Sequence, residues 1–188
     1  MPAPITQEQN RRDREALLDA AEKLFYEQGI QAVGMDEIRA ASGLPLKRIY
    51  RFFATKEDLV VAMLQRRDQR WRGNLAAHVE QVPDPRERVL AIFDWLAEWF
   101  AEPGFRGCAW INAHGELGPT SEAVQAEVRS HKQAFHDQIT AWAHATGLPV
   151  AEPAFLLAEG AIVTAGISGD PAPARHARAA LATLLGTP

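Results

Sequence analysis

One cysteine, Cys108, stands in 188 residues. The chain therefore cannot close a disulfide on itself, and its thiol suits a reducing compartment. No run of 18 apolar residues occurs anywhere, so no membrane span is expected. The opening MPAPITQEQNRRDRE lacks the apolar core of a secretion signal, which points to a cytoplasmic protein. No alternating apolar–polar run calls for a sheet. Gly-x-Ser-x-Gly, His-Glu-x-x-His and a glycine-rich phosphate loop are all missing, which argues against an enzyme and gives no reason to expect a metal or cofactor. Positive charge is also short, with a net charge of -4, so nucleic acid would meet no global attraction and would need a local patch.

What is present is apolar and helical. Hydrophobic residues make up 47% of the chain, enough to bury a core. Residues 1–10 read as a loose arm. An amphipathic helix follows from Arg11 to Gln28, with Leu17, Ala20, Ala21, Leu24 and Phe25 on one face and Gly29 as its stop. Short helices are predicted at Met35–Ser42 and after Pro45, joined by a glycine turn. Thr55 caps a long helix that runs to about Val82, where Pro83 and Pro85 break it. Further helices are predicted over Arg86–Ala101, Thr120–Thr146, Phe155–Ile167 and Ala172–Leu185, with a short one within GFRGCAWINAHGELG. The fold class is all-α: a domain of three helices at 1–55, then a larger helical domain at 56–188.

The local patch exists. Residues 1–56 hold nine Lys or Arg against eight Asp or Glu, while the remainder holds eleven against sixteen. From Arg39 to Lys56 the charge is purely basic. Two short helices across Ser42–Gly43–Leu44 fit a helix-turn-helix, whose second helix enters the major groove by its N-terminal end. Lys47 and Arg48 sit there and suit guanine edges. Leu46 suits a thymine methyl, and Pro45 sets the entry angle. Tyr50 and Arg51 follow along the helix, with the tyrosine hydroxyl suited to a phosphate. Lys56 opens the next helix, where free N–H groups favour an anion. Arg39 either touches phosphate or pairs with a nearby acid. A charge run on a short helix is also compatible with a merely solvated face.

The stretch ALLDAAEKLFYEQGIQAVGMDEIRAASGLPLKRIYRFFATKEDLV resembles the N-terminal domain of the TetR family of transcriptional regulators. The likeness rests on Leu24–Phe25 with Gly29, Ile38, the turn Ser42–Gly43–Leu44, Ile49–Tyr50–Arg51–Phe52–Phe53, and Lys56–Glu57–Asp58–Leu59. It implies operator contacts at Pro45, Lys47, Arg48 and Tyr50, and a phosphate contact at Lys56. Two positions depart from the family pattern: Gly34 stands where a phosphate-bonding Thr often opens the second helix, and Pro45 where the turn often carries Ser. A second likeness, in FRGCAWINAHGELG and LLAEGAIVTAGISGDPAPARHARAALATLL, extends the resemblance over nearly the whole chain.

A helix-turn-helix reader works as a dimer on two half-sites one helical turn apart. The last two helices supply the apolar surface, with Phe155, Glu159, Ile162, Val163 and Ile167 on one and Leu181 and Leu184 on the other. The resemblance implies a four-helix bundle across a twofold axis. The same residues also fit an ordinary internal core. In the middle of the chain, Trp95, Trp99, Trp110, Phe135 and Trp142 lie near Cys108, Asn112 and His114 in sequence, a composition that suits an apolar effector pocket with a few polar groups. The partners expected are a near-palindromic double-stranded DNA operator, a small apolar or aromatic effector, and a second copy of the chain. Two other readings compete: a helical small-molecule binder without operator binding, and a helical enzyme using Cys108, His114 or Glu116. His114, Glu116, His131 and His136 could in principle bind zinc, but His131 and His136 are five apart, a poor helical spacing for shared coordination; Glu127 and His131, four apart, fit better, yet such a pair is commonly just surface electrostatics.

Overall fold

The computed structural model describes residues 6–186, and every regular element among them is a helix. In order these are α1 (Gln7–Gln28), α2 (Met35–Ser42), α3 (Leu46–Phe52), α4 (Lys56–Val79), α5 (Pro85–Phe100), α6 (Ala109–Leu117), α7 (Glu122–His144), α8 (Ala151–Ser168) and α9 (Ala172–Leu185). Helix α1 starts earlier than the arm reading allows. Thr6 accepts the Gln9 N–H at 3.1 Å as a side-chain cap, and Gln9 and Glu8 tie to Asp13, Arg11 and Arg12 one turn on. Residues 6–10 are therefore helix and cap, while the rest of the expected arm, 1–5, lies outside the described residues.

The chain forms two compact units. The first comprises the residues up to Arg66 together with Asn112–Glu127. The α1 face foreseen from spacing supplies much of its core: Leu17 and Ala21 are fully buried, Ala20 and Phe25 are buried and Leu24 is half-buried, while Leu18, outside that face, is buried too; Ile38 from α2 and Ile49 from α3 join them at 0% exposure. Each buried Leu or Ile side chain contributes about 1.5–3 kcal/mol by leaving water. Helix α4 opens with a capping box: Asp58 N–H donates to Thr55 Oγ1 at 3.0 Å, and Thr55 N–H donates to Asp58 Oδ2 at 2.9 Å. Arg66 reaches Glu15, Asp19 and Glu22, one acid per turn of α1, at 2.8–3.0 Å.

The α6–α7 segment closes this unit on the α1–α2 turn. The Glu116 carboxylate accepts the N–H groups of Ile30 at 3.0 Å and Gln31 at 2.7 Å. Gly29 permits this turn through its backbone, with φ at +93°, a conformation that strains other residues; a Cβ there would meet Glu116 Oε2 only in ordinary contact at 3.4 Å. Ser121 donates to Glu57 at 2.6 Å.

The second unit comprises Arg67–Ile111 and the residues from Val128 onward. Helices α5, α8 and α9 pack on one another there. Asp84 caps α5 by accepting from the N–H groups of Arg86 and Glu87, with Pro85 in the first turn. Arg178 ties α9 to α5 through Asp94 at 2.9 Å and Glu87 at 3.4 Å. Helix α8 is covered within its own chain on one side. Its apolar residues run all round, which predicts burial on two sides, but only the stripe Ala154, Ala158, Ala161, Ile162 and Ala165 is buried. Leu156, Val163 and Ile167 stay exposed at 65%, 39% and 83%.

Candidate functional site

The helix-turn-helix is built by backbone constraints. Gly43 takes φ +69° and ends α2 with its N–H on the Arg39 carbonyl, a left-handed conformation that glycine adopts without strain. Pro45, extended at φ -63° and ψ 144°, is the N-cap of α3, and its carbonyl accepts from Arg48 and Ile49. Fully buried Ile49 anchors α3 to the unit's core. That leaves Pro45, Lys47, Tyr50 and Arg51 on the exposed side, with Leu46 half-buried. Tyr50 is 47% exposed. Among the described residues Lys47 and Arg51 have no ion-pair partner.

Arg48 is placed differently from its neighbours. Its Nε donates to Asp13 Oδ2 at 2.9 Å and its Nη2 to Asn10 Oδ1 at 2.6 Å. Its guanidinium lies 4.7 Å from the Phe52 ring centre, and its side chain is 11% exposed. Arg48 therefore ties α3 to the first turns of α1. Lys56 is likewise engaged within the protein: its Nζ donates to the Val33 carbonyl and lies 5.7 Å from the Phe25 ring centre. Burial pushes the Lys56 ammonium below its usual range, against the pull of Glu116 and Glu37. Arg39 pairs with Asp36 at 3.2 Å on the surface. Gly34 caps α2 without a side chain, and only the Glu37 half of a capping box forms, at 3.0 Å.

The residues expected to line a pocket fall in both units. Trp95, Trp99, Cys108, Trp110, Phe135 and Trp142 belong to the second unit, whereas Asn112 and His114 belong to the first and are exposed. Core burial is thus not what holds those two polar side chains.

The aromatic residues that do converge have a hub the sequence reading missed. Trp71 of α4 meets Trp95, Trp99, His131 and Phe135 edge-on, at centroid distances of 5.1–5.7 Å. Trp95 stacks on Trp99 at 5.8 Å, and Trp110 lies flat on His131 at 3.5 Å with 3° between planes. Trp142 is buried but joins none of these pairs. The hub could have been suspected, because Trp71 sits four residues before buried Leu75 on the apolar stripe of α4. The indole Nε1 atoms of Trp71 and Trp110 are buried without an acceptor among the described residues. Such a donor costs about 1–3 kcal/mol.

Charged groups around the aromatic cluster are matched. His131 Nδ1 lies 2.6 Å from Asp68 Oδ1, and Arg72 grips the same carboxylate at 2.6–3.0 Å. Burial pushes the Asp68 carboxyl up, but the hydrogen bonds from His131 and Arg72 outweigh it and hold it at about 2. Burial also pushes the His131 imidazole down, and Asp68 only partly offsets this. His131 is accordingly neutral and donates Nδ1–H to Asp68. Lys132 Nζ binds Glu159 at 2.6 Å and lies 3.6 Å from Cys108 Sγ. Glu159, expected at a dimer surface, is thus held inside its own chain. Among the described residues no cluster of three metal-ligating side chains occurs.

The expected dimer residues divide as well. Val163, Ile167 and Leu184 are exposed, Ile162 and Leu181 are buried, and Phe155 and Glu159 are intermediate. Leu156 joins the exposed set and borders a groove of about 380 Å³ between α8 and α9, lined also by Gly160, Thr164, Pro173 and His176. Helix α8 has the length and apolarity of a membrane span, with mean hydropathy 1.2.

Comparison with known proteins agrees with this architecture. Residues 17–63 match the model of the bacterial regulatory proteins of the tetR family. An HTH-type transcriptional regulator of Mycobacterium tuberculosis is 34% identical over 116 residues, which cover 58% of this chain and 56% of the relative. The HTH-type transcriptional regulator BetI of Rhizobium meliloti is 31% identical over 111 residues, 58% of this chain and 54% of that protein. The chain therefore spans little more than half the length of these curated relatives. Among solved structures, a TetR-family transcriptional regulator from Streptomyces coelicolor superimposes with a TM-score of 0.84 and 28% identity, over 94% of this chain and 95% of the other. With its exposed α3, its glycine-turned α2–α3 pair and the run of longer helices that follows in the chain, the chain belongs to the TetR family of transcriptional regulators.

Proposed function

We propose that the chain is a homodimeric repressor that grips a near-palindromic operator through paired α3 helices and leaves it when a small aromatic or apolar effector binds. The observation that carries this reading is the division of labour on α3. Ile49 is fully buried and Arg48 is spent on Asp13 and Asn10, so Lys47, Tyr50 and Arg51 are presented together with Pro45. Lys47 takes the base-edge role, Tyr50 and Arg51 take phosphates, and Leu46 takes a methyl contact at the margin. Arg48 orients α3. Arg39 and Lys56 serve as phosphate contacts only by exchanging their internal partners.

By function the chain divides into an operator-reading module at 1–55 and an effector and dimerisation body at 56–188. The aromatic cluster around Trp71 is the effector site, with Trp95, Trp99, Trp110 and Phe135 in it and Cys108 and Trp142 buried in the same unit. Asn112 and His114 fall outside. The exposed residues Leu156, Val163, Ile167 and Leu184 form the dimer surface, and the apolarity of α8 is explained by a second copy rather than a bilayer. The protein acts in the cytoplasm and is not an enzyme. Cys108 is buried beside Lys132 Nζ and His114 is exposed, and no hydrogen bond between the two occurs among the described residues. Effector release is a population shift, which requires different effector affinity in the two states.

The test is selection of duplexes from a random pool by the purified chain, followed by anisotropy titration over a range of salt. A near-palindromic consensus with a steep salt slope is expected. No enrichment, or a flat salt response, would sink the reading.

A further inference from the structure

The aromatic cluster of the second unit carries information about what it binds. Two donors in it, Trp71 Nε1 and Trp110 Nε1, are buried without acceptors. Both indoles border one imidazole: Trp110 lies flat on His131 and Trp71 meets it edge-on. A ligand reaching this cluster therefore gains most from an oxygen that accepts a hydrogen bond, because the protein supplies none to these atoms.

Charge narrows the class further. Asp68 is matched by Arg72 and His131, and Lys132 by Glu159. An ionic ligand entering among these rings would lose its hydration without finding an unmatched counter-charge. A neutral ligand loses far less. Shape follows from the rings: Trp95, only half-buried, stacks on Trp99 and meets Trp71 edge-on. It is the cluster's accessible margin, where a flat aromatic molecule can replace one ring contact of Trp71 with another.

We propose that this cluster takes neutral, planar aromatic molecules bearing a hydrogen-bond-accepting oxygen, with the Trp71 or Trp110 indole N–H as the donor. The proposal rests on the reading of this cluster as the effector site and adds the chemical class.

The experiment uses three probes that share one ring system, titrated into the purified protein by calorimetry. Naphthalene has no acceptor, 2-acetonaphthone is a neutral ketone, and 2-naphthoate is an anion. The expected order is acetonaphthone first, about three- to tenfold tighter than naphthalene for one neutral hydrogen bond, with naphthoate weakest. Trp71→Phe and Trp110→Phe each keep an aromatic ring and remove one donor. The ketone's advantage should vanish in one of them, with naphthalene binding kept as the sign of an intact cluster. An unchanged advantage in both variants overturns the donor assignment. Naphthoate binding as tightly as the ketone overturns the neutral class while leaving the effector site standing. No binding by any probe removes the effector site itself. The operator-selection experiment remains an independent check on the DNA-binding reading.

Discussion

Two adjacent side chains, Lys47 and Arg48, show how little charge type alone says about role. Both are basic and one bond apart in sequence, yet Lys47 is exposed while Arg48 is 11% exposed and bound to Asp13 and Asn10. Removing Arg48 leaves the Asp13 carboxylate, 14% exposed, without its cation. Arg48→Ala should therefore lower stability by about 1–3 kcal/mol, read as a drop in Tm, and weaken operator binding as a consequence. Lys47→Ala should leave Tm unchanged and relax sequence discrimination, read by anisotropy on matched and mismatched duplexes. Equal Tm losses would show that the two residues are not divided in this way. The His131–Asp68 pair makes a second residue-level prediction. His131 in the folded chain titrates below its ordinary 6.5, so as pH falls the unfolded chain takes up this proton first. Its contribution is complete above about pH 6.5 and is lost as pH drops below it. Asp68, lowered from 3.8 to about 2, contributes above 3.8 and loses that contribution between those values. Urea midpoints should fall from pH 7.5 to pH 5, and His131→Asn should flatten that part of the curve.

At the level of elements, two glycines act in opposite senses. Gly34 caps α2 in an extended conformation, φ -87° and ψ 160°, that any residue adopts. A Cβ there would find only ordinary contact with Glu37 at 3.7 Å. Gly34→Ser should stabilise the chain by about 0.5–1 kcal/mol, through a new cap and a less flexible unfolded chain. Thermal melts would show it, and a lower Tm would contradict the cap geometry. Gly166 on α8 has no such freedom, since a Cβ there would stand 2.9 Å from Gly107 Cα. Because the opposing atom is backbone, Gly166→Ala should destabilise by about 1–3 kcal/mol, from overpacking.

For the whole molecule, the unsatisfied surface is the exposed face of α8 and α9. Leu156, Val163, Ile167 and Leu184 are large, apolar and uncovered, and contiguous apolar patches mark association sites. The double change Val163→Asp with Ile167→Glu touches no residue of the buried stripe. It should convert a dimer to monomer by sedimentation while leaving helicity intact. Operator affinity should then fall by several orders of magnitude, because one half-site alone gives little hold. A variant that remains dimeric would move the interface elsewhere.

Local chemistry was enough to place most helices. Gly43, Pro45, Thr55 and the Pro83–Pro85 pair act on their own backbone within a few residues, so the α2–α3 turn and the ends of α4 and α5 were legible from the order of residues. On α3 the exposure of Lys47, Tyr50 and Arg51 was legible for the same reason, since burying Ile49 fixes the phase of its neighbours on a helix, whereas Leu46 and Arg48, expected beside them, are half-buried. Partnership over long separations was not. That Asp13 claims Arg48, that Val33 claims Lys56, that Asp68 and His131 meet across 63 positions, and that Trp71 rather than Asn112 or His114 completes the aromatic cluster all depend on which helix faces which. Helical periodicity gives each element its apolar face but not that face's neighbour. Only the packed chain, by choosing neighbours, decided which polar groups are matched and which indole donors still want an acceptor.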